Sequence, residues 1–147
     1  LDKTLPAWLW GATGGDGAAR RWGIIDTNNA VDSDMWIAYC LLEAGRLWNR
    51  PDYTDKGKQM MALIAKEIRD VKNVGKVLLP GRMGFETKDT VKLNPSYYPL
   101  FILRRFAEID PMWNAVFDRR FHSVVLRFHN TLSLRPLLKT LSWWLRS

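Results

Sequence analysis

The sequence predicts an all-α fold. Apolar residues recur at helical spacing in residues 32–48 and 54–71, and a third apolar segment, residues 96–109, follows a proline that suits a first helical turn. Short connectors with proline or glycine separate these segments, as in helical hairpins. The chain has 147 residues, 47% of them hydrophobic, which suits one globular domain.

The first of these helices is predicted to begin near Asp32 and to end near Trp48. The oxygens of Asp32, Ser33 and Asp34 can accept the free backbone N–H groups of a first turn. Apolar side chains cover most of the circumference, which predicts burial. One face carries Met35, Ala38, Leu42 and Gly45.

The segment before this helix is predicted to contain no helix. Residues 1–11 form a short apolar entry, and residues 11–17 are predicted to be a loop because four of the seven are glycine. Residues 22–31 are predicted to be extended and then to turn at Asn28 and Asn29.

The segment after it predicts further hairpins. A second helix is expected from Thr54 to Val71, with Lys58, Lys66 and Glu67 facing water and Met61, Ile64, Ile68 and Val71 facing inward. Residues 77–85 are predicted to be two short extended pieces around a Pro80-Gly81 turn. The Asp110-Pro111 pair predicts the start of a fourth helix.

Charge divides the chain into residues 1–117 and residues 118–147. The first part holds sixteen Lys/Arg and fourteen Asp/Glu, and the second holds six Lys/Arg and one Asp. The basic character therefore belongs to the tail, unlike the continuous basic face of a nucleic-acid-binding protein. The tail shows no clean helical period. A frameshift near residue 117 and a genuine amphipathic tail are both open interpretations.

Several other classes of protein and site are not predicted. No apolar run approaches the roughly 18 residues needed to span a bilayer, and residues 1–10 do not resemble a signal peptide. Cys40 is the single cysteine, so neither an internal disulfide nor a cysteine-based zinc site is expected. His122 and His129 have no acidic partners nearby, so we expect no metal and no cofactor.

Two polar clusters stand out as candidate sites. Residues 26–34 combine three carboxylates with two amides where a helix begins, and residues 92–98 combine amide, hydroxyl and phenol groups. Such groups bind sugar hydroxyls, while tyrosine rings and the eight tryptophans of the chain offer flat surfaces for sugar rings. On the residues alone, simple helix capping is the favoured interpretation of both patterns, and sugar binding is the alternative.

Residues 30–48 resemble the signature of glycoside hydrolase family 8. That signature has Ala, Ser or Thr, Asp, Ala or Gly, Asp, then Ile or Met and Ala, and ends in an aromatic residue. Further similarity lies in residues 5–11, 78–81, 84–85 and 94–97, which look like the branch encoded beside bacterial cellulose synthase. The resemblance covers residues 1–117. This sequence differs from the signature at Val31, Ser33 and Cys40. It matches the signature at Asp32, Asp34, Ile37, Ala38, Ala44 and Trp48.

This resemblance implies that residues 1–117 are a partial catalytic domain, a fragment of an (α/α)6 barrel, from a monomeric, periplasmic or secreted endo-1,4-β-glucanase. The partner would be a β-1,4-glucan chain, not nucleic acid or a membrane. Such enzymes hydrolyse with inversion, using an acid and a base. The family's general acid would precede residue 1 and its base would follow residue 117. We therefore expect this chain alone to be inactive.

The resemblance also assigns the candidate site residues. Asp32 matches the family's active-site aspartate and is expected to hold the sugar at the cleavage position. Asp34 is expected to contribute to substrate binding. Trp10 and Tyr97 are candidates for stacking on sugar rings, and Asn94 is a candidate for a hydroxyl contact. The alternative function is a glucan-binding remnant without catalysis.

Overall fold

The computed structural model of the chain describes residues 3–14 and 20–117, which form helical hairpins with two small antiparallel sheets. The elements in chain order are β1 (Leu9–Thr13), β2 (Arg21–Asp26), α1 (Val31–Leu47), α2 (Pro51–Ile64), β3 (Ile68–Val71), β4 (Gly75–Leu78) and α3 (Leu100–Ile109). Three 3₁₀ segments lie between or after them, at Ala65–Glu67, Pro95–Tyr97 and Pro111–Phe117. The helical part of the prediction is confirmed, and the all-α class is incomplete because of the sheets. The predicted boundary and tail at residues 118–147 lie outside the described residues.

Helix α1 follows the prediction closely on its inner face. It begins one residue before the predicted Asp32, and the four residues predicted to face inward are all buried. The prediction that α1 is buried rather than at the surface is wrong for its outer side. Trp36 is 48% exposed and Ile37 is 43% exposed, because α2 covers only one side of α1.

Helix α2 begins and ends earlier than predicted. Pro51 occupies its first turn, where the fixed φ of proline suits a helix and its missing N–H is not needed. Residues 68–71, predicted to be helical, form β3 and pair with β4. The chain turns back between the strands, with left-handed backbone at Asn73 (φ 67°) and Gly75 (φ 98°). Ile64, Ile68 and Val71 have the spacing of residues on one face of a helix, but the turn after Val71 makes the chain reverse as a pair of strands instead.

Helices α1 and α2 approach each other closely at two glycines. A Cβ atom on Gly57 would lie 2.7 Å from Leu42 Cγ and 3.2 Å from the Ala38 carbonyl oxygen. A Cβ atom on Gly45 would lie 2.8 Å from the Thr54 backbone nitrogen. Only a hydrogen atom fits at either position, so the helix backbones pack at short range.

The predicted third helix is interrupted. Residues 95–97 form a 3₁₀ turn, and α3 begins only after Pro99. Proline disfavours helical backbone in the residue before it, and Tyr98 accordingly has φ −118° and ψ 69°. This break directs the buried Tyr98 hydroxyl to β4, where it donates to the Leu78 carbonyl oxygen (2.7 Å) and accepts the Leu78 N–H (2.8 Å).

The predicted fourth helix is a 3₁₀ segment rather than an α-helix. It starts as predicted, since the Asp110 carboxylate accepts the Met112 N–H at 2.9 Å. The segment places Trp113 edge-on against Phe106 of α3, with ring centroids 5.0 Å apart. Both rings are almost fully buried, at 1% and 0% exposed, in a core shared with the inner faces of α1 and α2.

The N-terminal sheet was not predicted as a hairpin. Strand β1 continues to Thr13, into the segment predicted to be a loop, and pairs with β2. The register places Trp10 opposite Ile24 and Ala12 opposite Trp22, so these four side chains share one face.

Within the described part of the chain, no helix has the length and apolarity to cross a membrane.

Candidate active site

The predicted carboxylate cluster lies at the N-terminus of α1. Asp32 is half-buried in the first turn, where the partial positive charge of the helix end favours an anion. Its Oδ1 atom accepts the N–H of Ser33 at 2.8 Å. No side chain caps this helix, so the first-turn carboxylates are not used as its N-cap. The exposed part of Asp32 remains accessible to a ligand.

Asp34 lies behind Asp32 and is only 2% exposed. Its Oδ2 atom accepts a hydrogen bond of 2.9 Å from the Asn29 side-chain amide. Burial raises the pKa of Asp34 to about 6, against the opposing effect of the Asn29 bond and with smaller upward contributions from the charges of Asp32 and Glu67. The direct sugar contact predicted for Asp34 stays a prediction, and the structure shows this carboxylate held inside the protein.

Two asparagines join the start of α1 to the bend that follows β4. The Asn29 Oδ1 atom accepts the Arg82 N–H at 2.9 Å. The Asn28 amide donates to the Met83 carbonyl oxygen at 3.0 Å and accepts the Met83 N–H at 3.1 Å. A Cβ atom on Gly81 would lie only 2.6 Å from the Asn29 carbonyl oxygen. The bend at Pro80-Gly81 therefore packs closely against the candidate site.

Glu67 adds a carboxylate that the sequence did not indicate. It was predicted to face water from a long second helix, and this is wrong, because α2 ends early and Glu67 is 6% exposed in the following 3₁₀ turn. Burial raises the pKa of Glu67, and the positive charges of Arg69, Arg82 and Lys66 oppose that shift. Glu67, Arg82 and Asn29 line a cleft of about 210 Å³.

The hairpin carries an exposed aromatic pair. Trp10, the predicted stacking residue, is 60% exposed, and its ring lies on that of Trp22 with centroids 5.2 Å apart and planes 24° apart. Trp22, 63% exposed, was missed, although the alternation of β2 would have placed it beside Trp10 once the hairpin was recognised.

Asp26 links the end of this hairpin to the cluster. It accepts the Trp8 indole N–H and the Asn28 backbone N–H, each at 2.8 Å. The Asn28 bond, and then the Trp8 bond, lower the pKa of Asp26. The hairpin and the asparagine pair therefore share a hydrogen-bonded connection.

Among the described residues, no side-chain hydrogen bond joins the second predicted cluster to the first. The Asn94 carboxamide accepts from the backbone N–H (3.1 Å) and hydroxyl (2.8 Å) of Ser96, so it caps the 3₁₀ turn. Tyr97 is half-buried against the core. No hydrogen bond or ring contact among the described residues joins either side chain to Asp32 or Asp34, and their sugar-binding roles stay predictions.

Residues 3–14 and 20–117 contain no group of three or more His, Cys, Asp or Glu side chains able to hold a metal ion. His122 and His129 lie outside the residues that the structure describes. The site that the structure does show is built from carboxylates, amides and aromatic rings.

The Asp34→Asn variant tests the burial of this carboxylate. Because the pKa of Asp34 is raised by folding to about 6, the folded chain binds more protons than the unfolded chain between about pH 4 and 6. The Asp34 contribution to stability is thus present at low pH and is lost as pH rises through 6. In the parent chain, urea unfolding should show a lower free energy of unfolding at pH 8 than at pH 5. This difference should be smaller in Asp34→Asn. An identical pH dependence in both proteins would contradict the assignment.

The sequence model of glycosyl hydrolases family 8 matches residues 1–132. An endoglucanase from Xanthomonas axonopodis pv. citri (strain 306) is 49% identical over 118 residues, which cover 78% of this chain and 30% of that protein. An endoglucanase from Escherichia coli (strain K12) is 39% identical over 117 residues, covering 79% of this chain and 31% of that protein. The chain spans about a third of the length of these relatives.

Solved structures agree with the sequence comparison. The endo-1,4-D-glucanase of Vibrio fischeri ES114 matches with a TM-score of 0.71 and 45% identity, over 80% of this chain and 34% of that one. The endoglucanase of Komagataeibacter sucrofermentans matches with a TM-score of 0.61 and 35% identity, over 72% of this chain and 36% of that one. The family model, the related sequences and the solved structures agree: the chain belongs to glycoside hydrolase family 8.

Proposed function

We propose that this chain forms part of the substrate cleft of an endo-1,4-β-glucanase that hydrolyses β-1,4-glucan with inversion. The observation that carries the proposal is the position of Asp32. This residue matches the aspartate of the family signature and lies half-buried at the N-terminus of α1, beside a bend that Asn28 and Asn29 hold by hydrogen bonds.

In this proposal Asp32 binds and orients the sugar at the cleavage position, and its negative charge stabilises positive charge that develops on the sugar in the transition state. The acid that protonates the leaving oxygen and the base that activates water come from parts of the family domain that residues 1–117 do not match. The 147-residue chain by itself is therefore expected not to hydrolyse glucan.

The proposed complete fold is the (α/α)6 barrel of the family, of which α1, α2 and α3 would be one part. The outward rings of Trp36 and Phe101, each 48% exposed, support this proposal, because apolar rings in contact with each other at a surface suit packing against further helices. The complete enzyme is proposed to act as a monomer in the periplasm or outside the cell.

Glucan binding without catalysis is the second candidate, favoured by one observation. The paired rings of Trp10 and Trp22 are both more than half exposed, and such rings bind sugar faces without any acid or base. Affinity electrophoresis in gels with hydroxyethylcellulose tests this candidate directly. Retardation of the chain, lost in Trp10→Ala, would support it.

A chimera tests the proposed catalytic role. Residues 1–117 would replace the corresponding segment of the Xanthomonas endoglucanase, which is 49% identical to this chain over 118 residues. We expect the chimera to release reducing ends from carboxymethylcellulose. Asp32→Ala in the chimera should lower the rate on the order of 10²-fold or more, because it removes a charge that stabilises the transition state.

The matched control in the chimera is Asp55→Ala, which removes an exposed carboxylate of α2. This control should keep the activity of the chimera. A folded chimera that is inactive, or one whose activity survives Asp32→Ala, would contradict the catalytic role. In that case retardation by hydroxyethylcellulose would leave the binding remnant as the function.

A further inference from the structure

We propose that Asn29 is a positioning residue of the proposed substrate cleft at the start of α1. Its side chain fixes the carboxylate of Asp34 and ties it to the bend of residues 80–83, so that the first turn of α1 and the bend keep one arrangement. The inference deepens the proposed function and rests on it only for the effect on hydrolysis. The contacts of Asn29 themselves do not depend on the reaction.

The first step is that both ends of the Asn29 amide are used. The Nδ2 group donates to Asp34 Oδ2 at 2.9 Å, and the Oδ1 atom accepts the Arg82 N–H at 2.9 Å. A flipped amide would place oxygen against the carboxylate and N–H against N–H, which is repulsive at both ends. Since Asn29 is only 6% exposed, water offers little compensation, and one orientation is enforced.

The second step is that Asp34 depends on this donor. Among the described residues, Asn29 supplies the side-chain hydrogen bond to its carboxylate. The charged groups that act on Asp34 are Asp32 on the same helix and Glu67 in the neighbouring 3₁₀ turn, and both are negative. The positive charge of Arg82 acts on Glu67 instead. Loss of the Asn29 amide would leave a buried carboxylate facing two like charges without its donor.

The third step is that Asn28 provides a matched comparison. Its amide makes two hydrogen bonds to Met83 in the same bend and accepts the Asn29 backbone N–H at 3.1 Å, but makes no hydrogen bond to Asp34. Removing the Asn28 side chain therefore takes two hydrogen bonds from the bend and one from the Asn29 backbone, and leaves the side-chain donor of Asp34 in place. A difference between the two variants reports on the Asn29–Asp34 contact and not on general loosening.

The test is a carboxyl ¹³C NMR titration of the full 147-residue chain as the parent, Asn29→Ala and Asn28→Ala. Loss of one hydrogen bond to a charged group predicts that Asn29→Ala raises the midpoint of Asp34 by about one to two pH units. We expect Asn28→Ala to leave that midpoint unchanged. No rise in Asn29→Ala, or an equal rise in both variants, would overturn the proposal.

A second variant keeps the proposal testable if Asn29→Ala does not fold. Adding Asp34→Asn to that variant removes the buried charge, so folding should return, as measured by far-ultraviolet circular dichroism. Failure of this rescue would count against Asn29 as the partner of Asp34.

The chimera then separates this inference from the proposed function. In an active chimera, Asn29→Ala should shift the acidic limb of the kcat/KM pH profile upward, while Asn28→Ala should leave the limb in place. An unshifted limb in Asn29→Ala would overturn the role in hydrolysis. A folded but inactive chimera would refute the proposed function, and the NMR midpoints would still decide whether Asn29 positions Asp34.

Discussion

Replacing Phe106 by alanine is expected to lower the free energy of unfolding by about 3–5 kcal/mol. Phe106 is 0% exposed and packs edge-on against Trp113, which is itself 1% exposed. The variant removes a whole ring from a site where helix α3 and the following 3₁₀ segment are held together, and the neighbouring side chains can only partly fill the space. Urea unfolding followed by tryptophan fluorescence measures the difference.

Phe101→Ala is the matched control on the same helix. Phe101 is 48% exposed and touches two rings, those of Trp36, which is also 48% exposed, and of Tyr39, which is partly buried. Its replacement should cost no more than about 1 kcal/mol. Equal losses from the two variants would mean that α3 does not present the Phe106 side to the core.

Tyr98→Phe is the second substitution with a large expected effect. It removes one oxygen atom and leaves the buried N–H and carbonyl oxygen of Leu78 without the partner that serves both. Each buried backbone group left unpaired costs about 1–3 kcal/mol. We therefore expect the free energy of unfolding to fall by this amount if one of the two groups finds another partner, and by twice this amount if neither does. The same unfolding experiment applies, with far-ultraviolet circular dichroism to confirm that the fold persists.

Tyr97→Phe serves as the control for this substitution. The Tyr97 hydroxyl makes no hydrogen bond to another described residue, so its removal should change stability by less than about 0.5 kcal/mol. A Tyr98→Phe variant as stable as the parent would show that the hydroxyl does not replace a strand partner for β4.

The helices were predictable where a regular apolar face met a clear boundary. The inner face of α1 was predicted residue by residue, because its spacing and the acidic first turn point to the same helix. Strand β3 was not predictable in this way. Two inward-facing residues, Ile68 and Val71, continue the spacing of α2, and only the local turn at residues 72–74 shows that the chain reverses there.

The sequence predicted which residues form the polar cluster of the candidate site, but not the hydrogen bonds that connect them to the rest of the chain. The sequence indicated that residues 26–34 form a polar cluster, and the structure shows that Asn29 connects Asp34 to Arg82, which is 53 positions further along the chain. Nothing local in the sequence specifies such a partner. Glu67 was missed for the same reason, since its burial depends on where α2 ends and on what packs over it.

The two glycines between α1 and α2 have a consequence for how this hairpin can move. Side chains that interdigitate can change rotamer and let one helix slide along another, but backbone in contact with backbone has no such freedom. Contacts at Gly45 and at Gly57 lie at different heights along the pair, so they oppose both sliding and rotation. We therefore expect α1 and α2 to move together as one rigid body.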